Sequence, residues 1–292
     1  MAFVIHHFLT YFCPFNLPGG FVTIDVVWFM RIAGIAGALL VGGLNVASSQ
    51  VVGSNSDEPT LYAYCQQFQR LYTQIREERV APDSARVRFS VIMRGLQGRF
   101  RSAQSYRNDS LQRDSLRRTG RYFSFPIRGY ATNAIGGIHG EGYRANGFDL
   151  FDYKARGSHP AQDIFVADRN QNSLDDRTSQ PVDILSMSNG LVIGIETAWT
   201  SGSEYRGGNW IWVYDPNLHG LFYYAHNSAV HVAPGQWVQT GQKLGEMGRT
   251  GFNAYKTRSP THLHLMYLQV QPDGLPLPFN TYPWLLTARF SR

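Results

Sequence analysis

The stretch from Leu221 to Gly248, LFYYAHNSAVHVAPGQWVQTGQKLGEMG, decides the fold of this chain. An aromatic run is followed by Pro-Gly and Thr-Gly pairs at close spacing, which is typical of short strands joined by tight turns. Two earlier runs, LVIGIETAW and NWIWVYD, repeat this pattern of brief apolar segments bounded by turn residues. No run after residue 122 keeps a helical period over three turns. We therefore predict a mainly β domain over residues 122–292, built on an antiparallel β-sheet.

The composition of the whole chain agrees with a folded, β-rich protein. Of its 292 residues, 43% are hydrophobic and 16% are charged, which argues against disorder. The 29 glycines, 16 tyrosines and 18 phenylalanines suit strands with many turns. Cys13 and Cys65 are too few for a disulfide framework or a thiolate zinc cluster. Any metal must therefore be held by histidine and carboxylate groups.

A helical region precedes the β domain and occupies residues 51–121. Apolar residues spaced three and four apart between Asp57 and Val80 predict one amphipathic helix. Asp57 is the predicted N-cap, because a carboxylate before the first turn can accept from its free N–H groups. Cys65 falls on the apolar face of this helix, so we expect it to be buried rather than reactive.

The second part of this region is rich in arginine and has no single interpretation. Between Ala81 and Tyr122 there are ten Arg and three Asp. Its apolar residues fit two patterns, since Val87, Phe89 and Val91 alternate as in a strand while Val87, Val91 and the run after them also fit a helix. Such charges are usually a solvated face; contact with a membrane or an anionic wall polymer is the alternative. No nucleic-acid-binding signature accompanies them.

Residues 1–50 have the features of a targeting segment. The run MRIAGIAGALLVGGLNVASSQ begins at Met30 with a basic start, continues with an apolar middle and ends in small residues, as secretory signals do. An uncleaved membrane anchor is the alternative, if Val26 to Phe29 extend the apolar stretch. Met30 itself could be the true start. Either reading predicts an exported protein of the periplasm or cell envelope, cleaved or membrane-anchored.

Five polar residues of the β domain form a pattern that packing does not explain. In the run SPTHLHLMYL, His262 and His264 are two residues apart, so in a strand they project from the same face. Asp163 opens another strand-like run, and His159 lies in the loop before it. His226 ends the aromatic run LFYYAH. Together these residues predict a metal and acid–base site, since two imidazoles with a carboxylate are a common ligand set for catalytic zinc.

Other polar residues receive ordinary interpretations. His139, His219 and His231 are expected to be satisfied polar residues outside the site. The run DRNQNSLDD offers oxygen atoms from Asp168 to Asp176 with calcium-like spacing, but a polar hairpin tip is the preferred interpretation.

Three blocks of the sequence resemble a known family. HPAQD, the stretch from YYAHNS to GEMGRTG, and THLH are similar to the lysostaphin-type (LytM-like) peptidases of the M23 metallopeptidase family. The resemblance implies a lysostaphin/LytM-like β domain with a groove and one Zn2+ per chain, held by His159, Asp163 and His264. It also implies that His226 and His262 act as catalytic residues on water and transition state, and it leaves open which one is the general base.

The resemblance further implies an activity. Members of this kind are zinc metalloendopeptidases that cut peptide cross-links or stem peptides of bacterial peptidoglycan, in cell-wall remodelling or lysis. The alternative is a non-catalytic M23-like regulator that binds and activates a cell-wall amidase. Such regulators typically lack zinc ligands, whereas this chain keeps all five site residues. The sequence therefore favours the enzyme.

Overall fold

The computed structural model describes residues 60–101 and 122–291. The predicted targeting segment, Asp57 and the later part of the arginine-rich stretch lie outside these residues. Among the helices of the described ranges, none has the length and apolarity that a membrane span requires.

Two helices form the N-terminal part of the described chain. Helix α1 spans Leu61–Arg76 and helix α2 spans Pro82–Arg101. The prediction of Asp57 as N-cap is wrong, because the Thr60 side chain stands directly before the first helical residue and accepts a hydrogen bond from the Ala63 N–H. Cys65 is buried as expected, and burial raises the pKa of its thiol to about 11.

Helix α2 decides between the two patterns of the arginine-rich stretch in favour of a helix. Val87 and Val91, which belong to both patterns, are exposed over 66% and 52% of their surface. The buried stripe instead recurs at helical spacing. It consists of Ala85, Phe89, Ile92, Met93 and Leu96.

Within the described residues, nine strands form one antiparallel sheet, which confirms the predicted fold class. The strands are β1 Ala161–Phe165, β2 Asp183–Leu185, β3 Gly190–Ile195, β4 Asn209–Asp215, β5 Gly220–Val230, β6 Trp237–Val238, β7 Lys243–Met247, β8 His262–Val270 and β9 Pro276–Phe279. Their order is β1-β8-β5-β4-β3-β6, while β7 pairs with β2 and β5, and β9 pairs with β8. A short helix, α3, spans Tyr282–Thr287, and a 3-10 turn spans Thr132–Ala134.

Each face of the sheet has its own hydrophobic cluster, and strand β8 shows the division. Leu263, Leu265 and Tyr267 point into one cluster. Met266 and Leu268 belong to the other cluster, together with the buried residues of α1 and α2. Because side chains alternate along a strand, His262 and His264 lie on the same face as Met266. We call this face the helix side of the sheet.

Helix α1 is joined to strand β3 by packing and by hydrogen bonds. Gln69 donates from Nε2 to the Ile195 carbonyl at 2.9 Å and accepts from the Ile195 N–H at 2.8 Å. Gly194 permits the approach, since a Cβ there would lie 3.2 Å from the Phe68 ring. At the end of the helix, the Arg76 guanidinium forms an ion pair with Glu196, with 2.7 Å between Nη2 and Oε2.

Candidate active site

The pairing of β1 with β8 places three metal-ligating side chains together. Asp163 is directly opposite His264 in the antiparallel register. His159, two residues before β1, is held by a bridge to Arg144. One ligand atom from each of His159, Asp163 and His264 lies within 4.8 Å of the other two. The three residues that the motif resemblance assigns to zinc therefore converge.

Hydrogen bonds orient these ligand atoms. His159 Nδ1 lies 2.6 Å from the Gly142 carbonyl, which makes Nδ1 the protonated nitrogen and leaves Nε2 free, 3.2 Å from Asp163 Oδ1. His264 Nδ1 lies 3.1 Å from the same carboxylate oxygen. Two imidazole nitrogens and one carboxylate oxygen are the donor set of an open catalytic zinc site. The residues present therefore fit a zinc ion.

The pKa shifts of Asp163 and His264 agree with this fit, whereas that of His159 does not: burial would lower the pKa of His159, but its hydrogen bond to Asp163 raises it. Burial alone would raise the pKa of Asp163, but hydrogen bonds from His159 and His264 hold that pKa well below its usual range. Burial lowers the pKa of His264, although its contact with Asp163 opposes the effect. A carboxylate that stays ionised and an imidazole that stays neutral are the states that a metal ion requires.

The remaining two histidines line the same cleft beside the ligands. His226 Nδ1 lies 2.7 Å from the Thr250 carbonyl, and His262 Nδ1 lies 2.8 Å from the Pro260 carbonyl. Their ring centroids are 4.9 Å apart. His262 Nε2 lies 3.7 Å from Asp163 Oδ1. Because both Nδ1 atoms meet carbonyls, both rings keep Nε2 for a ligand in the cleft.

The backbone at His226 is held in an unusual conformation. Its φ angle is 72°, in the left-handed region that non-glycine residues rarely adopt. The ring has room because residue 251 is a glycine, itself at positive φ, where a Cβ would lie 2.9 Å from His226 Nδ1. Burial, followed by the neighbouring His262 and His264, keeps the pKa of His226 well below its usual value. His226 is therefore a neutral imidazole fixed in place by its surroundings.

A cavity of about 450 Å³ contains the five site residues, and part of its wall comes from the helical region. Tyr72 and Arg76 of α1 line it together with Tyr223 of β5. The Tyr223 ring lies 6.3 Å from the His264 ring, edge to face. Sequence reasoning missed this contribution of α1. The only signal was the helical spacing of Tyr72, which predicts a buried residue but not the surface that buries it.

Asp168 has a supporting role that sequence reasoning also missed. Its Oδ2 accepts from the Thr261 hydroxyl at 2.7 Å and from the Ser173 N–H at 2.9 Å, and its Oδ1 accepts from the Asn172 N–H at 3.0 Å. The carboxylate thus accepts hydrogen bonds from backbone N–H groups of its own turn and holds Thr261, the residue before His262. These contacts agree with the preferred hairpin interpretation of the run DRNQNSLDD.

The three histidines expected outside the site do not line the cavity. His231 Nε2 lies 3.1 Å from Glu246 at the surface. His139 and His219 are likewise absent from the cavity wall.

Comparison with known families and proteins gives one match by sequence. Residues 169–274 match the model of Peptidase family M23. This range includes His226, His262 and His264 but begins after His159 and Asp163, so the first block of the resemblance lies ahead of it. A comparison with curated proteins finds no match.

Several solved structures are similar to this chain. One is from Ruminococcus gnavus ATCC 29149 and is assigned as a glycyl-glycine endopeptidase, lytM. Its sequence is 20% identical, the match covers 80% of this chain and 98% of that chain, and the TM-score is 0.42. Another is the catalytic domain of lysostaphin from Staphylococcus simulans, with 24% identity, coverage of 44% and 80%, and a TM-score of 0.31. A zinc-containing peptidase from Vibrio cholerae has 20% identity, coverage of 54% and 39%, and a TM-score of 0.32. Because these TM-scores are low, the solved structures carry no argument, and the comparison depends on the family match. Residues 169–274 are thus similar to peptidase family M23, in agreement with the resemblance of the sequence motifs.

Proposed function

We propose that this protein is an exported zinc metalloendopeptidase that hydrolyses peptide bonds in bacterial peptidoglycan. The observation that carries the proposal is the meeting of His159, Asp163 and His264 within 4.8 Å of one another, at a cleft lined by two further histidines. Zinc bound there would supply a Lewis acid and a water of lowered pKa for attack on a carbonyl. The family match to peptidases supports this chemistry.

The chain's own residues supply the proton transfers. His226 and His262 keep Nδ1 on backbone carbonyls, so each presents a free Nε2. One Nε2 accepts the proton of the attacking water, and the other, once protonated, donates a hydrogen bond to the oxyanion. The two ring centroids are 4.9 Å apart, so both imidazoles can address one reacting carbonyl.

A regulator without catalysis is the competing function, and the geometry does not favour it. A protein that only binds an amidase has no need of ligands held ready for a metal. Here the Gly142 carbonyl fixes His159, and Asp163 contacts both ligand histidines. Such orientation of the ligands is what metal binding requires.

The proposal also includes export of the protein and a substrate in the cell wall. Residues 30–50 support export, because they have a basic start, an apolar middle and small residues at the end. The arginine-rich stretch suits an anionic polymer outside the cytoplasm. Peptidoglycan peptides would then be the partner, reached from the periplasm or the cell envelope.

The test uses the purified protein and isolated sacculi. We expect about one zinc per chain, and zinc-dependent release of new amines whose muropeptide products, identified by mass spectrometry, name the bond cut. Removal of zinc by a chelator should stop the release, and added zinc should restore it. A protein that binds no zinc, releases no amines and stimulates an amidase would contradict the proposal.

A further inference from the structure

A second cavity adjoins the metal-site cavity. It has a volume of about 700 Å³. Four residues line both cavities, so the two cavities are neighbours that share one wall. These shared residues are Arg76, Tyr153, Arg206 and Asn253. A peptide bound in the metal-site cavity would therefore meet the wall that the two cavities share.

Arg206 is fixed on this wall by three contacts. Its guanidinium carbon lies 4.7 Å from the centre of the Tyr153 ring. Its Nη1 donates to the Ala155 carbonyl at 3.2 Å, and its Nη2 donates to the Tyr153 carbonyl. A guanidinium has five N–H donors, so these two bonds leave donors for a ligand. Arg206 is thus immobilised before any ligand arrives.

A second arginine meets the same two carbonyls. Arg156 Nη1 donates to the Tyr153 carbonyl at 2.8 Å and lies 3.4 Å from the Ala155 carbonyl. Because Arg156 and Arg206 share both acceptors, their guanidiniums are held near the same two carbonyls. We call them the arginine pair. The two positive charges repel each other, and the carbonyls that accept their hydrogen bonds are neutral and do not cancel the charge.

Neither member of the arginine pair forms an ion pair with a carboxylate of the described residues. Arg76, on the same wall, is different, since Glu196 lies 2.7 Å away. Glutamates also line the second cavity, but Glu77 is paired with Arg79 and Glu78 with Lys154. The third, Glu204, is exposed. Arg156 and Arg206 are therefore two positive charges of this wall that form no ion pair within the described residues; Asp152 and Glu204, which line the cavities, also form none.

We propose that Arg156 and Arg206 form a subsite that binds a carboxylate of the substrate peptide. This inference rests on the proposed function, which supplies the peptide. A carboxylate between two guanidiniums accepts charge-assisted hydrogen bonds and removes their repulsion. The carboxylate is either the C-terminus of the peptide or an acidic side chain, since both present the same group. The arginine pair then selects anionic peptides over neutral ones.

The test uses two pairs of peptides that differ in one group. The first pair is pentaglycine with a C-terminal acid or a C-terminal amide. The second pair is Gly-Gly-Glu-Gly-Gly amide and Gly-Gly-Gln-Gly-Gly amide. With the zinc-loaded full chain, we expect the acid of at least one pair to have a kcat/KM about 10- to 100-fold above its neutral counterpart, mainly through KM. The pair that shows the preference identifies the source of the carboxylate.

Variants assign this preference to the arginine pair. The double variant Arg156→Gln/Arg206→Gln should remove it, whereas Arg206→Lys should keep part of it. Arg156→Gln alone changes an exposed side chain and should reduce the preference without affecting folding. Arg169→Gln is the matched control, because Arg169 is exposed and lines neither cavity. Equal kcat/KM for acid and neutral peptides, or a preference that survives in the double variant, overturns the subsite.

Binding separates this inference from the proposed function. N-terminally dansylated versions of the four peptides report affinity by fluorescence anisotropy. Tighter binding of an acid peptide without hydrolysis would support the subsite and contradict the peptidase. Zinc-dependent hydrolysis with no difference between acid and neutral peptides in rate or affinity would support the peptidase and overturn the subsite.

Discussion

The helix side of the sheet has a covered half and an open half, and strand β8 runs through both. In the covered half, Met266 and Leu268 pack with α1 and α2. In the open half, His262 and His264 line the cleft. All four residues follow the same two-residue alternation. The comparison teaches that strand period assigns a face, while the extent of the covering helices decides whether that face is core or active site.

The border between the halves is the last turn of α1. Tyr72 packs edge to face on Trp210 at 4.9 Å and also lines the cavity. Arg76 lies over the Trp210 ring at 5.1 Å and lines the same cavity. The helical region therefore belongs both to the core of the sheet and to the wall of the cleft.

The largest expected effect comes from removing helices α1 and α2, which cover one half of the helix side of the sheet. A chain that starts at Tyr122 should fail to fold, because ten large side chains of the sheet lose their cover. Each buried apolar side chain contributes about 1.5–3 kcal/mol, whereas the total stability of a protein is about 5–15 kcal/mol. They are Leu191, Ile193, Trp210, Trp212, Tyr214, Leu221, Tyr223, Met266, Leu268 and Val270. Solubility and thermal melting by circular dichroism measure the outcome. A chain that starts at Asn55 keeps both helices and is the control; cooperative melting of the shorter chain near the temperature of the control would contradict this view.

Substitution of a proposed zinc ligand in the open half should abolish activity without unfolding the sheet. Alanine at His159, Asp163 or His264 leaves two ligands, so zinc affinity should fall by more than the roughly 10- to 100-fold loss that follows removal of a ligand's hydrogen-bond partner. Metal analysis after dialysis and melting by circular dichroism give the two readouts. Full zinc occupancy in any of the three variants would show that its residue is not a ligand.

Substitution of the other two histidines should affect turnover alone. Alanine at His226 or His262 should leave zinc bound and lower kcat by about 10²- to 10⁴-fold, the usual contribution of a positioned acid or base. Single-turnover hydrolysis of a soluble peptide measures the loss. If either variant releases its zinc, the division between ligands and proton-transfer residues is wrong at that position.

The smallest expected effect concerns the ion pair at the border. Burial would raise the pKa of Glu196, but backbone N–H groups and Arg76 lower it below its ordinary value. Because the folded-state pKa is below the unfolded-state value, the stabilisation is present at neutral pH and is lost as the pH falls through the folded pKa, below about 4.3. Glu196→Gln should therefore lose less stability than the parent between pH 7 and pH 3.

The difference should be at most about 1 kcal/mol, because Glu196 is partly exposed to solvent. Urea denaturation at each pH gives the free energy of unfolding. Parallel loss of stability in both proteins would mean that the ion pair contributes nothing.

Strand features and the histidine pair were predictable from the sequence, because they depend on local spacing. The two-residue interval of His262 and His264 was enough to place both on one face. The register that sets Asp163 opposite His264 required the fold itself. Val87 and Val91 left the interpretation of α2 open between strand and helix, because exposed β-branched residues imitate an alternating strand.

Other parts of the site were beyond sequence reasoning because they depend on contacts between distant segments. Tyr72 reaches the cleft only because α1 packs on a sheet formed more than a hundred residues later. The His226 ring depends on the close approach of Gly251, which no local pattern around His226 shows. Asp168 acts through Thr261 across 93 residues of sequence.

The two hydrogen bonds between Gln69 and Ile195 have a consequence for association between copies of this chain. On the side of β3 away from β4, the Ile195 N–H and carbonyl would form an open ladder that another strand could extend. Gln69 occupies both groups, and the Gly235 N–H donates to the Val192 carbonyl farther along the same edge. A side-chain amide thus takes the place of a neighbouring strand. Helix α1 thereby protects this edge from β-sheet aggregation, and loss of Gln69 would expose the protein to it at high concentration.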